Sequence, residues 1–537
     1  MTVGYQSKTI NTVTAGTLLR SLGYFEKQLN ALHDGHTYKV DWQDYATGAP
    51  ITAQMTAGKI DIGSMGDFPL LLNAARGKQL GRPTHLVSVT GYNLRGGLNT
   101  VVTAPGSKLT SLKDLQGKKV STSIGSAADG TLVRALQRAG IDPDKGISKL
   151  NQQPAVGASA LSSGSVDALS QFVAWPGLLT YQGKAKALYD GAQLNLPTFH
   201  GVTAREDFTK QRPAVLEAFL KAQAEATDYL NAHPVTASEK VAEATGLPAE
   251  VVYLYNGAHG IATFDPAVKP QLVSALEQDV SVLKAAKLTG DIDVNSFVDD
   301  QYVKKALAAS YARRLTAAPA PAASEVWPKG SEKTVSFKSA KELLAYVAGH
   351  KDGVRAAYVP DATTGTLWFA DKAVWVTNGD QLLPFVTPRP HRPTSPPTAA
   401  PVRCRTAKRW SGPHDPAAPG PVCAADGLAG RVPRPVAGAD QPGRGPVAAV
   451  LAVPDRHGRG PRLRRPALRR RLLDRPHRQP HPHPHRLRPG SRPGRGDGRA
   501  RGPLAPRRGS ARPGAGGDPP DPCDRPRPRR DPALSLQ

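Results

Sequence analysis

Residues 1–387 contain no cysteine. The three cysteines of the chain, Cys404, Cys423 and Cys523, all lie C-terminal to this region. The absence of cysteine from residues 1–387 excludes thiol nucleophiles, disulfides and cysteine-ligated metals there. Long apolar runs are also missing from the chain. A membrane helix needs about 18 or more apolar residues in succession, so no membrane-spanning segment is predicted.

The composition changes abruptly near residue 387. From Pro388 to Gln537 there is no Glu, Asn, Ile, Phe, Tyr or Met, and Lys408 is the only lysine. Arg, Pro, Gly, Ala and His dominate this stretch, as they do when GC-rich DNA is translated in a wrong frame. Residues 388–537 are therefore predicted to be a disordered Arg/Pro/Gly-rich tail and a candidate frameshift product. Function is sought in residues 1–387.

The strong positive charge of the chain belongs to this tail. Residues 388–537 hold 32 of the 70 Lys and Arg residues and 10 of the 44 Asp and Glu residues, and so carry +22 of the formal charge of +26. A basic surface of this size would ordinarily indicate nucleic acid or an anionic membrane. Residues 1–387 are nearly balanced, so no nucleic-acid partner is predicted for them. A basic arm that binds nucleic acid stays an alternative for the tail alone.

Strand and helix patterns alternate through about the first 200 residues, which is typical of a parallel sheet with helices on both faces. The later part of this region is predicted to be helical and to pack on the sheet already formed. The predicted strands are 2–5, 38–43, 59–63, 85–90, 98–103, 119–122, 147–151, 167–172 and 199–202. The predicted helices are 15–29, 49–57, 68–75, 131–139, 213–232, 237–243 and 267–286.

Three ordered segments carry a pattern that periodicity alone does not explain. Residues 51–70 are I-T-A-Q-M-T-A-G-K-I-D-I-G-S-M-G-D-F-P-L, and residues 109–120 are L-T-S-L-K-D-L-Q-G-K-K-V. The third segment runs from A-R-E-D-F at 204–208 through Arg212 and Pro213 into a long helix that ends at N-A-H-P. Together they resemble the solute-binding proteins of ABC importers for nitrate, sulfonate and taurine.

This resemblance implies a type II periplasmic-binding-protein fold, in which two α/β lobes are joined by two crossings. Lobe 1 would comprise residues 1–92 and 203–310, and lobe 2 residues 97–198, with crossings at 93–96 and 199–202. Such a protein captures a small anionic or zwitterionic solute, such as an aliphatic sulfonate, taurine or nitrate, by hinge closure. It then delivers the solute to an ABC permease in the membrane. The resemblance implies a monomer that is not an enzyme and that uses no cofactor or metal.

The site is expected where helices begin. Ligands of open α/β sheets lie beyond the carboxyl ends of the strands, and helix N-termini there offer free N–H groups to anions. Four turns in the sequence suit this position, although any one of them is as well explained by an ordinary helix cap. The candidate ligand-binding residues in these turns are Gln6, Ser7, Thr47, Gly48, Met65, Gly66, Asp67, Ser123, Gly125 and Ser126.

Each of three candidate residues allows two interpretations. Asp67 could cap the helix that starts at residue 68, or it could face the solute, where a carboxylate would suit an amine such as that of taurine. Trp175 stands in a W-P pair where the family has W-x-P, and its ring could close over the solute or belong to the core. His200, at the second crossing, could contact the solute or be a hinge histidine with satisfied hydrogen bonds.

Binding proteins of this kind act outside the cytoplasmic membrane, so a periplasmic or cell-surface location is expected. Residues 2–5 already look like a buried strand and no signal peptide precedes them, which predicts a true start upstream. The main alternative is a pyrimidine-precursor binding protein or enzyme of the thiamine pathway on the same fold. The Cys-rich motif of that enzyme has no counterpart in residues 1–387.

A separate unit is predicted after the two lobes. Residues 311–330 are predicted as a linker because they contain an Ala/Pro-rich stretch. Residues 331–387 are predicted as a small α+β unit with a helix at 340–348 and strands at 356–359, 373–377 and 382–386. Part of it, A-Y-V-P-D-A-T-T-G-T-L-W-F-A-D-K-A-V-W-V, resembles nitrous-oxide-reductase accessory lipoproteins. That family binds copper through Cys and Met, which this segment lacks, so no copper is predicted. The family continues with a helix, so the unit is predicted to be truncated.

Overall fold

The computed structural model describes residues 1–378 and 381–388, and the predicted tail lies outside these residues apart from Pro388. Residues 1–93 form four strands and four helices. The helix predicted at 15–29 is instead two helices broken at Gly23, whose φ of 65° ends the first of them in a left-handed conformation. The elements are β1 (Thr2–Tyr5), α1 (Thr17–Leu22), α2 (Tyr24–Asn30), β2 (Asp41–Asp44), α3 (Gly48–Thr56), β3 (Ile62–Gly66), α4 (Asp67–Gln79) and β4 (Thr84–Asn93).

Residues 99–190 form a second sheet of five strands. Helix α5 begins earlier than the predicted residue 131, because Ser126 Oγ accepts a hydrogen bond from the Asp129 N–H and caps the helix there. The sequence patterns did not predict α6 (Pro154–Ser162), α7 (Trp175–Tyr181) and β9 (Lys186–Asp190). The elements are β5 (Asn99–Thr103), β6 (Lys119–Thr122), α5 (Ala127–Arg138), β7 (Ser148–Asn151), α6 (Pro154–Ser162), β8 (Ala168–Phe172), α7 (Trp175–Tyr181) and β9 (Lys186–Asp190).

The chain then returns to the first sheet and becomes mostly helical. Strand β10 (Thr198–Arg205) contains residues 199–202, so the strand predicted there is confirmed, while the crossing predicted at the same residues stays a prediction. The helix predicted at 213–232 is confirmed at both ends. The elements are β10 (Thr198–Arg205), α8 (Glu206–Gln211), α9 (Pro213–Ala232), α10 (Pro234–Thr245), α11 (Ala249–Asn256), β11 (Thr263–Phe264), α12 (Pro270–Ala285), α13 (Val294–Phe297), α14 (Gln301–Leu307) and α15 (Ser310–Thr316). Among the described residues, no helix is long and apolar enough to cross a membrane.

Each of the two sheets has its own apolar core. The first sheet has the strand order β11-β4-β10-β3-β1-β2, and its core includes Ile62, Val89 and Phe219. The second sheet has the order β7-β6-β8-β5-β9, with one core beneath α5 around Leu132 and another beneath α6 around Leu161. The predicted α/β class with two sheet-centred lobes is confirmed, while the predicted lobe boundaries stay a prediction.

The C-terminal residues pack against the rest of the chain instead of standing apart. The stretch predicted as a linker, residues 311–330, contains most of α15 and the strand β12, in which Trp327 is fully buried. A four-stranded antiparallel sheet of order β13-β12-β14-β15 is covered by α16 on one face and contacts α11 on the other. The elements are β12 (Ser324–Pro328), β13 (Val335–Phe337), α16 (Ala340–Gly349), β14 (Val354–Pro360), β15 (Leu367–Phe369), β16 (Val374–Asn378) and β17 (Gln381–Phe385).

Candidate functional site

Helix α4 packs on the first sheet and helix α5 on the second. Their N-termini meet at the boundary between the lobes. A Cβ built on Gly66, the N-cap of α4, would lie 3.7 Å from the Cβ of Ala127, the first residue of α5. The first N–H groups of a helix have no intrahelical acceptor. In α5 the Asp129 N–H is capped by Ser126 Oγ at 3.3 Å, which leaves the N–H groups of Ala127 and Ala128 without an acceptor inside the helix. Such a helix start favours an anion.

His200 lies beside these two helix starts. It pairs with Gly66 across strands β10 and β3, and a Cβ on Gly66 would lie 3.2 Å from His200 Nε2. Asn11 Nδ2 is 2.5 Å from His200 Nδ1, and when Asn11 donates, the ring hydrogen is on Nε2. Burial lowers the pKa of His200 to about 3, so the imidazole is neutral near neutral pH. His200 therefore offers an uncharged donor close to the start of α4.

The predicted site residues of the first lobe are mostly held by other protein groups. Gln6 Nε2 donates to the Ser64 carbonyl oxygen at 3.0 Å, and Ser7 Oγ donates to Asp44 Oδ2 at 2.5 Å. A Cβ on Gly48 would lie 2.7 Å from the Cβ of Pro69, so this glycine permits close packing of α3 on α4. Met65 is fully buried in the apolar core. Its side chain fills the interior, and only its backbone remains for a solute.

Asp67 binds backbone groups inside the protein. Its Oδ1 accepts from the Phe68 N–H at 2.8 Å, and its Oδ2 accepts from the Phe199 N–H at 3.2 Å. Helix α4 begins at Asp67 rather than at the predicted residue 68. Burial raises the pKa of this carboxyl to about 6, and its hydrogen bonds and Arg134 oppose the shift. Asp67 is therefore the first residue of α4, after the N-cap Gly66, and its two carboxylate oxygens bind backbone N–H groups of α4 and β10.

The predicted site residues of the second lobe shape the turn that precedes α5. Ser123 Oγ donates to the Gln152 carbonyl oxygen at 2.8 Å. Gly125 has a φ of 80°, which suits glycine, and its N–H donates to Asp129 Oδ2 at 3.0 Å. Trp175 is partly buried at the start of α7 and packs on the apolar core beneath α6. The structure thus brings together Gly66, His200 and the turn capped by Ser126, whereas Trp175 packs with the core of its own lobe.

The lobes touch each other on both sides of this site. A Cβ on Gly130 of α5 would lie 2.0 Å from Phe68 Cζ of α4, so the ring rests directly on the glycine. Arg134 Nη1 of α5 lies 2.7 Å from Asp279 Oδ1 of α12. On the other side, the Gly177 N–H of α7 donates to the Tyr255 hydroxyl of α11 at 3.1 Å. The lobes are therefore closed on each other.

Cavities of about 320 and 420 Å³ lie elsewhere, beside α8 and beyond the C-terminal end of α5.

Part of the chain is similar to a known protein family and to known binding proteins. Residues 36–237 match the family model described as NMT1/THI5 like. The match covers less than half of the chain. It is similar to an aliphatic sulfonates-binding protein of Escherichia coli K12, with 27% identity over 281 residues that cover 52% of this chain and 82% of the relative. It is also similar to the taurine-binding periplasmic protein of Escherichia coli K12, with 24% identity over 236 residues, 43% of this chain and 70% of that protein.

A solved structure is also similar to part of the chain. The alkanesulfonate-binding protein SsuA from Xanthomonas axonopodis pv. citri, bound to MOPS, superposes with a TM-score of 0.49 at 22% identity. The superposition covers 56% of this chain and 98% of SsuA. The residues that match the family model include the helix starts of α4 and α5 and His200.

Sequence reasoning missed Asn11, which contacts His200, and Gln171 in β8 of the second lobe. Gln171 is fully buried, and both its amide nitrogen and its amide oxygen are without a hydrogen-bond partner. Asn11 Oδ1 is likewise buried without a partner. A buried amide normally has its hydrogen bonds satisfied. The sequence of β8, A-L-S-Q-F, shows Ser170 and Gln171 as polar residues inside a strand whose other residues are apolar.

The buried carboxyl of Asp67 predicts a pH dependence of stability. A carboxyl whose folded pKa is raised stabilises the fold below its unfolded pKa, and this contribution is lost as the pH rises through the folded value. With the folded pKa of Asp67 at about 6, the free energy of unfolding should fall between about pH 4 and pH 7, by about 2–3 kcal/mol for this group. Urea unfolding across this range measures the fall.

The variant Asp67→Asn should remove most of this pH dependence, because its amide oxygen still accepts from the backbone and does not titrate. The variant Asp371→Asn, at a partly exposed side chain far from the helix starts, should keep the wild-type profile. An unchanged slope in Asp67→Asn would show that another group is responsible.

Proposed function

We propose that the protein binds a small anionic or zwitterionic solute between its lobes and delivers it, outside the cytoplasmic membrane, to an ABC permease. The observation that carries this proposal is the meeting of the α4 and α5 helix starts beside neutral His200. Because the two helices belong to different lobes, an anion bound there would contact both and favour the closed arrangement. The sulfonate-binding and taurine-binding relatives support the same role.

An alkanesulfonate or taurine fits these surroundings better than nitrate. The three sulfonate oxygens match the donors available from His200 Nε2 and from the N–H groups of Ala127 and Ala128. Immediately before Asn11, Ile10 belongs to an apolar cluster shared with Val173 and Ala174 of the second lobe. A short alkyl chain gains from apolar contacts that nitrate lacks. The unpartnered Asn11 Oδ1 is an acceptor that suits the amine of taurine. The role is binding without turnover.

Thermal unfolding of the full chain with a panel of solutes tests this proposal. The panel is ethanesulfonate, butanesulfonate, taurine, nitrate and a thiamine-pathway pyrimidine precursor. A bound solute raises Tm by mass action, so a sulfonate or taurine should raise Tm, and calorimetry should give saturable binding with the solute recovered unchanged. If nitrate or the pyrimidine alone binds, the solute class is wrong. Chemical turnover of any member would favour an enzyme instead.

Two variants at one position sharpen this test. His200→Leu removes the donor beside Gly66, whereas His200→Gln keeps an amide N–H at about the place of Nε2. Losing a hydrogen bond to a charged solute should weaken binding about 10- to 100-fold in the leucine variant. The glutamine variant should stay within about tenfold of the wild type. Equal losses in both variants would mean that His200 supports the fold and does not contact the solute.

A further inference from the structure

Residues 324–388, here called the C-terminal unit, are bonded to the second lobe through one buried carboxylate. Thr364 Oγ1 and Thr366 Oγ1 each donate to Asp190 Oδ2 at 2.7 Å. Asp190 ends β9 and is 1% exposed, and its Oδ1 accepts from the Ala192 N–H at 3.0 Å. All the described polar contacts of this carboxylate are therefore backbone or hydroxyl donors, two of them from the C-terminal unit.

The same unit is packed on the first lobe through α11. Tyr358 donates its hydroxyl hydrogen to the Glu250 carbonyl oxygen at 2.9 Å, and Arg355 Nε lies 2.9 Å from Glu250 Oε1. The Arg355 guanidinium also lies 3.9 Å from the centre of the Trp327 ring. Trp327 and Tyr358 are fully buried and belong to one apolar cluster with Tyr253 of α11. This contact is large and mostly apolar. On the second lobe, the Tyr181 ring of α7 adds one ring contact to the two hydroxyl bonds, with its centre 5.5 Å from that of Phe369.

The two contacts lie on either side of a crossing between the lobes. Thr366 Oγ1 would be 3.3 Å from a Cβ on Gly97, and Asn93 Nδ2 would be 3.4 Å from the same point. Gly96, which lies between Asn93 and Gly97 in the chain, has a φ of 99° that favours glycine. Asp190 stands beside this crossing, because a Cβ on the next residue, Gly191, would lie 2.5 Å from the Gly96 carbonyl oxygen. A rotation of one lobe against the other about residues 93–97 would change the angle between Asp190 and α11. The C-terminal unit, fixed to both, would oppose that rotation.

We propose that the C-terminal unit is a hinge clasp, which holds the lobes at the closed angle and releases Asp190 when they open. The contact with the second lobe is the one that breaks, because it consists of two hydrogen bonds and one ring contact, while the contact with α11 buries several aromatic rings. The clasp acts without solute, so it shifts the equilibrium of the empty protein toward closure. It concerns a part of the chain that lies beyond the residues matched by the family model and does not depend on the proposed function.

Hydrogen exchange of the full chain without solute tests the clasp. The variant Thr364→Ala with Thr366→Ala removes both hydroxyl donors, and Thr364→Ser with Thr366→Ser keeps them as a matched control. Peptides that span α7 and α11 report the contact between Gly177 and Tyr255 across the lobes. Exchange there should rise about tenfold in the alanine variant, as expected for the loss of hydrogen bonds to a charged group. The serine variant should stay close to the wild type.

Two outcomes would overturn the proposal. If exchange rises only around residues 361–366 while α7 and α11 stay protected, the unit does not restrain the hinge. If exchange rises equally throughout, including strand β6 in the core of the second lobe, the hydroxyls contribute to general stability only. A rise confined to the contacts between the lobes is the result that supports a clasp.

Discussion

Replacing Gly130 with alanine should weaken solute binding about 10- to 100-fold, as expected from overpacking costs of about 1–3 kcal/mol. A Cβ at this position would lie 2.0 Å from Cζ and 2.4 Å from Cε2 of Phe68. Phe68 is 2% exposed within the first turn of α4, so its ring has little room to move. The methyl group would therefore push α5 away from α4 and separate the two helix starts at the site.

The helix itself should not suffer, since alanine favours a helix by about 1 kcal/mol over glycine. Gly130→Ala should therefore keep its secondary structure while losing affinity and the exchange protection between the lobes. Gly349→Ala is the matched control, because Gly349 ends α16 and a Cβ there would meet nothing within 4 Å. Calorimetry with the best solute of the panel, together with Tm, separates binding from stability. Wild-type affinity in Gly130→Ala would contradict the closed contact described here.

Replacing Arg134 with methionine should cost about 3–5 kcal/mol of stability near neutral pH, because it leaves buried carboxylates without their cation. Arg134 Nη1 lies 2.7 Å from Asp279 Oδ1, and the two side chains are 14% and 1% exposed. Burial raises the pKa of Asp279 well above its usual value, and the negative charge of Asp67 raises it further. Methionine keeps much of the apolar stem that packs near Phe68, so the missing charge is the main change.

The pH dependence separates this charge effect from simple loss of packing. Without Arg134 the pKa of Asp279 should rise further, so the carboxyl takes up a proton in the folded state. Stability from such a group is present at low pH and is lost as the pH rises through the folded pKa. The cost of Arg134→Met should therefore be smaller at about pH 5 than at about pH 8. Adding Asp279→Asn should restore part of the stability at the higher pH.

A surface ion pair provides the control for this measurement. Lys284 and Asp291 also form an ion pair, but their side chains are 45% and 90% exposed. Lys284→Met should cost less than about 1 kcal/mol at either pH, because water screens exposed charges. Urea unfolding at both pH values gives the comparison. A cost for Arg134→Met as small as that for Lys284→Met would mean that the buried pair does not hold the lobes together.

Local signals in the sequence predicted the elements that depend on local structure. Helix α9 was predicted with its observed ends because Pro213 stands at its first position and His233-Pro234 at its end. The turn before α5 was predicted from Gly125 and Ser126, which the structure shows as a left-handed glycine and a helix cap. The side-chain roles within the candidate site were less predictable. Nothing local shows that Met65 points into the core.

Contacts between distant residues could not be predicted. Asn11 and His200 are 189 residues apart in the chain and lie in contact in the fold. The linker prediction failed for a related reason. An Ala/Pro-rich stretch is typical of a linker, but the strand that follows carries Trp327, which packs on Tyr253 with ring centres 5.3 Å apart. Composition shows that such a strand is apolar and does not show which surface will cover it.

The position of β10 in the first sheet sets the order in which a nascent chain can fold. It lies between β4 and β3, so the sheet lacks a central strand until the ribosome has added Arg205. In the part of the chain that the structure describes, the second sheet contains no strand later than β9. The two ends of the segment that forms it are in contact, since the Leu196 N–H donates to the Arg95 carbonyl oxygen at 3.2 Å. Domains generally fold as units during synthesis. The second lobe is therefore able to fold before β10 and β11, the last strands of the first sheet, have been synthesised.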